Sequence, residues 1–260
     1  MKTSRRLRRF LSPIPLPAIG REVILPASET HHLRDILRLR VGDRCLVTDG
    51  AGREAEARVD NFVDGKQTRI IIESIHTRRG GDKNRVYLRV AVAVPQRHLM
   101  DDLIVKAEEL GVQEIWPLES EHTVVKISES TQPKVLERWR KIASEAAKQS
   151  GAPELLHITS PKTFEQAVKD VPREEPLLIF HPSGNSIAFR DWIRKPESCR
   201  SLNLFIGPEG GFSDKEIQSA NGLRRDSGSS LPMVLSLGEN ILKVDTAFVG
   251  ILSTLRFLLP

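Results

Sequence analysis

The sequence predicts an α/β protein in which a small β-barrel precedes a largely parallel sheet with helices on both faces. Residues 12–75 form short β-type segments separated by Asp-Gly turns, which is typical of a small barrel. From residue 86 onward, apolar strands alternate with amphipathic helices, which favours a parallel sheet. A polar, Gly-containing stretch lies between the two patterns, so we predict domains at 1–77 and 85–260 with a linker at 78–84.

The first domain is predicted from its turns and from the β-forming segments beside them. Asp49-Gly50 and Asp64-Gly65 are typical of hairpin turns, and each lies between two such segments. One short helix is expected to carry Leu33, Ile36 and Leu37 on a single face. The predicted strands are 21–25, 44–48, 54–59 and 68–72, and the predicted helix is 31–39.

The second domain is predicted from apolar runs and helix-ending residues. Gly111 and Gly151 end two helices, since glycine readily adopts the backbone conformation of a helix C-terminus. Ser213 and Glu216 form a capping box, which starts a third helix. The predicted strands are 86–94 and 114–118 and three that end near 180, 206 and 237, and the predicted helices are 99–110, 134–150, one from 213 and one around 248–259.

The cysteines and the N-terminal sequence bear on the cellular compartment. Cys45 and Cys199 are far apart and follow no metal-binding spacing, so we expect free thiols in a reducing cytosol and no metal. Arg5-Arg6 resembles the start of an export signal, but prolines interrupt the apolar region that should follow. No apolar stretch is long enough to span a membrane. We therefore predict a cytoplasmic protein without a membrane partner.

The basic excess lies in the first third of the chain. Residues 1–80 contain 16 Lys and Arg against 10 Asp and Glu, whereas the remaining residues contain 23 against 24. Such an asymmetry favours an N-terminal surface that binds a polyanion such as RNA. An ordinary solvated basic face is the alternative. The candidate RNA-binding residues are Arg9, Arg34, Arg38 and Arg40.

A glycine-rich turn follows the apolar run Leu204–Ile206 and precedes the helix that Ser213 caps. Gly207, Gly210 and Gly211 let the backbone turn sharply and let a ligand approach it closely. Backbone amides at strand-to-helix turns commonly hold cofactors. A tight turn without a ligand is the alternative, since Gly-rich turns are common.

Several short motifs follow one another along the chain. They are His32 with Ile36-Leu37-Arg38, Gly42-Asp43, Lys106–Val112, Trp139–Ala143, Gln149-Ser150-Gly151, Gly207-Pro208-Glu209-Gly210-Gly211, Leu237-Gly238, Ile241-Leu242 and Thr246-Ala247. Together, and in this order, they resemble the ribosomal RNA small-subunit methyltransferase E family, of the SPOUT class of knotted methyltransferases. The resemblance spans nearly the whole chain.

This resemblance implies a PUA-like barrel followed by a SPOUT domain with a C-terminal trefoil knot. It also implies S-adenosylmethionine (SAM) as the cofactor, ribosomal RNA or the small ribosomal subunit as the partner, and a homodimer. The apolar residues of the last helix fit a dimer interface, although burial within one subunit is the alternative. The implied cofactor-binding residues are His181, Pro182, Gly207, Pro208, Glu209, Gly210, Leu237, Gly238, Asn240, Ile241 and Leu242. Of these, Ile241 and Leu242 are also candidates for simple core packing.

The implied reaction is methylation of a uridine N3 in 16S ribosomal RNA. A weakly acidic imide proton must leave, so a nearby cation or a proton-accepting group would help. Lys243, Asp245 and His122 are the catalytic candidates, and Glu209 is a further carboxylate within a matching motif. A histidine in a loop is more often a surface residue than a catalyst, which is the alternative for His122.

The chain departs from the family pattern on the side expected to face RNA. Arginines of the family are replaced by His122, Ala152, Asn240 and Lys243, while Glu239 replaces a proline and Asp245 a glutamate. Arginine and lysine are not interchangeable at bidentate contacts. The cofactor motifs are intact, so we predict a SAM-dependent RNA methyltransferase. The alternatives are a non-catalytic RNA-binding or ribosome-assembly protein of the same fold, and a methyltransferase with another RNA target.

Overall fold

A computed structural model describes residues 7–77, 85–96, 99–181, 186–194 and 199–259. These residues form two compact units. The first contains the N-terminal strands together with Ser144–Leu155, and the second contains the remainder. The predicted linker at 78–84 lies outside the described residues, and the boundaries 1–77 and 85–260 stay a prediction.

The first unit is built on a five-stranded sheet. Its strands are β1 (Arg9–Leu11), β2 (Glu22–Leu25), β3 (Arg44–Thr48), β4 (Arg53–Val63) and β5 (Gln67–Thr77). The order across the sheet is β1-β3-β4-β5-β2, with β1 parallel to β3 and the other pairs antiparallel. Asp64 and Gly65 both have positive φ, at 49° and 65°, which suits the tight β4–β5 turn predicted there.

The helix predicted at 31–39 was wrong in its position. An α-helix, α1 (Ala27–His31), leads instead into a π-helical turn at His32–Ile36. The wider turn changes which side chains share a face, because a π-helical bond spans one residue more than an α-helical bond. As a result Leu33 is fully buried, whereas Ile36 is 62% exposed.

Within the first unit, charged contacts join the segment Ser144–Leu155 to the N-terminal part of the chain. The ammonium group of Lys148 lies 2.8 Å from the Glu29 carboxylate, and both side chains are about nine-tenths buried. The Arg9 guanidinium lies 2.5 Å from the Glu54 carboxylate and also donates to the carbonyl oxygen of Lys148, at 3.0 Å. These paired charges fix the segment although it is distant in sequence.

The second unit is built on an eight-stranded sheet. Its strands are β6 (Tyr87–Ala93), β7 (Glu114–Glu119), β8 (His157–Ile158), β9 (Lys162–Thr163), β10 (Leu177–Phe180), β11 (Ile187–Ala188), β12 (Ser201–Ile206) and β13 (Met233–Ser236). The order is β11-β13-β10-β12-β6-β7-β8, with β9 also on β7, and every pair among the described residues is parallel. The predicted parallel α/β sheet is confirmed.

Helices connect these strands and bury their apolar faces on the sheet. They are α2 (Leu99–Glu109), α3 (Gln132–Ser150), α4 (Phe164–Asp170), α5 (Phe189–Trp192), α6 (Asp214–Asp226) and α7 (Val244–Leu258). In α7, Phe248, Ile251 and Leu255 are buried within the unit. In α6, the fully buried Arg224 donates to main-chain carbonyl oxygens, among them those of Val171 and Glu175, and so anchors the helix end.

Neither a membrane-spanning helix nor a cluster of metal-binding side chains is present in the part of the chain that the structure describes. None of the described helices combines the length and the apolar content that crossing a bilayer requires. Within the same ranges, no three His, Cys, Asp or Glu side chains come together as a metal site.

Candidate active site

The candidate site is a cleft at the carboxyl ends of three adjacent strands, β13, β10 and β12. Such ends are where α/β sheets bind ligands. Its volume is about 630 Å³, counting the solvent at its mouth. The residues that line it are Phe180, His181, Ile206, Gly207, Pro208, Glu209, Gly211, Leu235, Leu237, Gly238, Asn240, Ile241, Leu242, Val244 and Ala247.

The first wall of the cleft is the glycine turn, residues 207–212, between β12 and α6. A Cβ atom on Gly207 would lie 3.1 Å from the main-chain carbon of Gly211, so only glycine fits without a backbone shift. The Gly211 amide donates to the Pro208 carbonyl oxygen at 2.8 Å, and Gly211 has a φ of 69°. The predicted capping box of Ser213 and Glu216 is present and fixes the start of α6.

The second wall is the exposed loop, residues 237–242, between β13 and α7. Its conformation depends on Gly238, which has a φ of 120° and open space around the Cβ position. Ile241 is 88% exposed and Leu242 is 39% exposed, although both line the cleft. Neither side chain is therefore a core residue of the chain alone.

His181 lies at the base of the cleft, directly after β10. Its main-chain amide donates to the Leu235 carbonyl oxygen at 3.0 Å, which ties β10 to β13. The ring atom Nδ1 is buried and has no hydrogen-bond partner among the described residues. The next predicted cofactor residue, Pro182, lies outside the described residues.

Gly210 is placed differently from the other predicted cofactor residues. It does not line the cleft. A Cβ atom there would instead meet the ring of His122, at 3.3 Å from its Cβ. A side chain at this position would therefore crowd His122, and the assignment of Gly210 to the cofactor stays a prediction.

Two of the three predicted catalytic residues lie at the start of α7, and the third lies beside the glycine turn. Lys243 is the exposed N-cap residue of α7, and Asp245 lies in the first turn, where its carboxylate accepts from the Thr246 amide at 2.8 Å. Val244, between them, lines the cleft. His122 follows β7 and contacts the glycine turn, with Nδ1 3.2 Å from the carbonyl oxygens of Gly210 and Gly211.

The four predicted RNA-binding arginines differ in how much of their charge is free. Arg9 is paired with Glu54, and Arg34 donates to Asp35 and to the Gly65 carbonyl oxygen. The hydrogen bond from Arg34 lowers the pKa of Asp35 to about 2, with a further contribution from His31.

Arg38 and Arg40, by contrast, are exposed and have no side-chain partner among the described residues. They are therefore the cations best placed to meet a phosphate backbone.

Six lining residues are outside the predicted cofactor set, and one of them, Gly211, belongs to the glycine-rich turn that the sequence predicts. Of the other five, Phe180 and Ile206 end their strands, Leu235 is the next-to-last residue of β13, and Val244 and Ala247 lie in the first turn of α7. The signal for them was present, since each apolar run ends at a loop already assigned to the site. The cleft otherwise brings together nine of the eleven predicted cofactor residues.

Comparison with known proteins gives a consistent family. Residues 82–256 match the model of an RNA methyltransferase domain, and residues 25–61 match that of an RNA methyltransferase PUA domain. The chain is 31% identical to ribosomal RNA small subunit methyltransferase E of Synechocystis, over 94% of this chain and 76% of that protein. It is 25% identical to the Bacillus subtilis protein of the same name, over 90% and 89% of the two chains.

Among solved structures, a protein from Legionella pneumophila with the cofactor SAM bound superposes with a TM-score of 0.84. The two chains are 29% identical, and the superposition covers 97% of this chain and 98% of that one.

Proposed function

The chain belongs to the ribosomal RNA small subunit methyltransferase E family, and from that premise we propose that it methylates small-subunit ribosomal RNA with SAM as the methyl donor. The observation that supports this proposal is the cleft itself. Residues assigned to the cofactor from sequence motifs line one cavity at the ends of adjacent parallel strands.

The lining of the cleft fits SAM in both shape and charge. Leu235, Leu237 and Ala247 offer an apolar slot for an adenine ring. The orphaned Nδ1 of His181 offers a polar contact inside the cleft, and Glu209 offers a negative charge to a cationic cofactor. When bound, SAM supplies an activated methyl group.

We propose uridine N3 as the methyl acceptor. The chain must hold the base in line with the donor and accept or compensate the imide proton. Lys243 can stabilise the developing uridine anion, and Asp245 can accept a proton, because both flank the Val244 edge of the cleft. Proteins of this kind act where ribosomes are assembled, so we place the activity in the cytoplasm.

We also propose that the first unit binds the RNA through phosphate contacts. The proposal rests on Arg38 and Arg40, because both side chains are exposed and neither forms an ion pair or a side-chain hydrogen bond among the described residues. Replacing both by alanine should weaken RNA binding and flatten its salt dependence by about 0.7 in slope per lost contact. Replacing Lys134 and Lys169, two exposed lysines of the second unit, is the charge-matched control.

The proposed homodimer depends on only part of the apolar set that the sequence indicates, which is Phe248, Ile251, Leu255, Leu258 and Leu259. Phe248, Ile251 and Leu255 are buried within the second unit, so they cannot form an interface. Phe257 and Leu258, at the end of α7, are 78% and 63% exposed. We propose that a second copy covers them, and sedimentation of the Phe257→Ser variant should show a shift toward monomer. The trefoil knot implied by the family stays a prediction.

Methyl transfer to ribosomal subunits from a strain that lacks the gene tests the function. We expect incorporation of the SAM methyl group into RNA of the small subunit, and mapping of the modified base should give N3-methyluridine. Binding of RNA without any methyl transfer would favour an assembly protein instead. Transfer to another RNA would contradict the proposed substrate.

A further inference from the structure

His122 is engaged in a way that the proposed chemistry does not use. Its ring atom Nδ1 lies 3.2 Å from two carbonyl oxygens, those of Gly210 and Gly211. Carbonyl oxygens accept hydrogen bonds and cannot donate them, so Nδ1 must carry the proton. In the neutral ring the free lone pair is then on Nε2.

The loop that carries His122 is held in a compact turn. The Ser120 amide donates to Thr123 Oγ1 at 2.9 Å, and the Thr123 amide donates back to the Ser120 carbonyl oxygen at 3.0 Å. Both side chains are buried. His122 lies between them, so these hydrogen bonds restrict the conformation of the main chain that carries it.

Glu216 fastens this loop to the start of α6. One oxygen of its carboxylate accepts from the Ser213 amide at 2.9 Å, which is the capping box. The other oxygen accepts from the Glu121 amide at 3.0 Å. A hydrogen bond from Ser213 also lowers the pKa of the Glu121 carboxyl. One carboxylate thus links the helix start to the residue beside His122.

We infer that His122 and Glu216 form a clasp that sets the shape of the glycine turn, and that His122 is a positioning residue for the cofactor. The inference rests on the proposed function, since it takes the cleft as the SAM site. His122 acts through Gly211, which lines the cleft, and through Gly210, whose missing side chain leaves room for the imidazole ring. This role differs from that of a proton acceptor at the base.

Two substitutions at His122 separate the two roles. Asparagine places an N–H donor where Nδ1 stands but offers no basic nitrogen, whereas alanine removes both. If His122 positions the turn, His122→Asn should bind SAM within about twofold of the parent in calorimetry. His122→Ala should bind about three- to tenfold more weakly, which is the net value of one or two hydrogen bonds.

Glu216→Gln gives a second, independent measure of the clasp. The amide keeps one acceptor oxygen, so only one of the two main-chain contacts survives, and SAM affinity should fall by about two- to fivefold. His76→Ala, at an exposed position of β5, is the control and should leave affinity unchanged. Nitrogen NMR of the neutral His122 ring should show the proton on Nδ1 and not on Nε2.

Three outcomes would overturn the inference. They are equal SAM affinity of the parent and His122→Ala, loss of affinity in His122→Asn as large as in His122→Ala, and an Nε2-protonated neutral ring. Loss of methyl transfer in both variants with unchanged SAM affinity would instead assign His122 to the acceptor base. Failure of the parent protein to bind SAM would contradict the proposed function and not the clasp.

Discussion

The two walls of the cleft follow β12 and β13, the two strands on either side of β10 in one sheet, yet the chain holds them in very different ways. In the glycine turn, Gly207 and Pro208 are buried, and the main chain of Gly207 lies close to that of Gly211. The clasp of His122 and Glu216 contacts this turn and the start of α6. In the exposed loop, residues 238–242 are all exposed, and Gly238 has no neighbouring atom at its Cβ position.

This difference indicates two roles in binding. The glycine turn is shaped by the protein before any ligand arrives, which lowers the ordering cost of binding. The exposed loop keeps apolar side chains in water, and Ile241 gains burial only when a ligand or a second copy covers it. We therefore expect a preformed wall that selects the cofactor and an adaptable wall that closes on it.

Replacing Gly207 by alanine should have the largest effect. The new Cβ would meet main-chain atoms at 3.1–3.2 Å, and backbone cannot move aside as a flexible side chain can. We expect a loss of about 3 kcal/mol in the free energy of unfolding, by denaturant titration, with SAM affinity reduced at least about tenfold. An unchanged stability would show that the turn is not preformed.

Glu108 does not line the cleft, so a substitution there should change the stability of the protein without changing either wall. Burial raises the pKa of this carboxyl to about 7, against a hydrogen bond from the Leu156 amide that lowers it. The folded state therefore holds a proton that the unfolded state releases at about pH 4.5, so stability falls as pH rises from about 4.5 to 7 and stays low above.

Glu108→Gln should remove this penalty. We expect a gain of about 2 kcal/mol at pH 8 and almost none at pH 4, measured by unfolding at both pH values. SAM affinity should not change. A parent protein whose stability does not fall over this pH range would contradict the raised pKa.

Gly238→Ala makes in the exposed loop the same change, glycine to alanine, that Gly207→Ala makes in the glycine turn. No atom would clash, but a φ of 120° is unfavourable for alanine and costs about 1 kcal/mol or more. Because the loop is exposed, it can relax, so the loss should appear in SAM affinity, by about fivefold, more than in stability. A loss of stability equal to that of Gly207→Ala would remove the contrast between the walls.

Ile241→Ser should have the smallest effect on folding. The side chain is 88% exposed, so its removal should change the free energy of unfolding by less than about 0.5 kcal/mol. SAM affinity should fall by about threefold if the cofactor covers it. If affinity is unchanged but sedimentation shows fewer dimers, a second copy covers this side chain.

Local patterns in the sequence predicted the parts of the molecule that local physics determines. The capping box at Ser213, the Asp64-Gly65 turn and the strands that end at the cleft each depend on neighbouring residues, and the structure contains all of them. The helix predicted at 31–39 was wrongly placed. Its apolar spacing fits an α-helix, but the α-helix begins earlier, after Pro26, and a π-helical turn follows it.

The remaining features depend on contacts between distant residues. His122 reaches residues 88 and 89 positions away, and the Glu216 bond spans 95 positions. Likewise, pairing with Glu54 takes Arg9 out of the free basic surface. The spacing of residues in a single sequence cannot predict such partners, because the order of the strands in the sheet determines which distant residues meet.

Hydrogen exchange of the main-chain amides, measured with and without SAM, tests the contrast between the walls most directly. The Gly211 amide, which donates to the Pro208 carbonyl oxygen, should exchange slowly from the start and change little, whereas the amides at 239–242 should exchange fast and become protected when SAM is added. A larger gain of protection in the glycine turn than in the exposed loop would contradict a preformed wall, and no change in either would contradict the cofactor site.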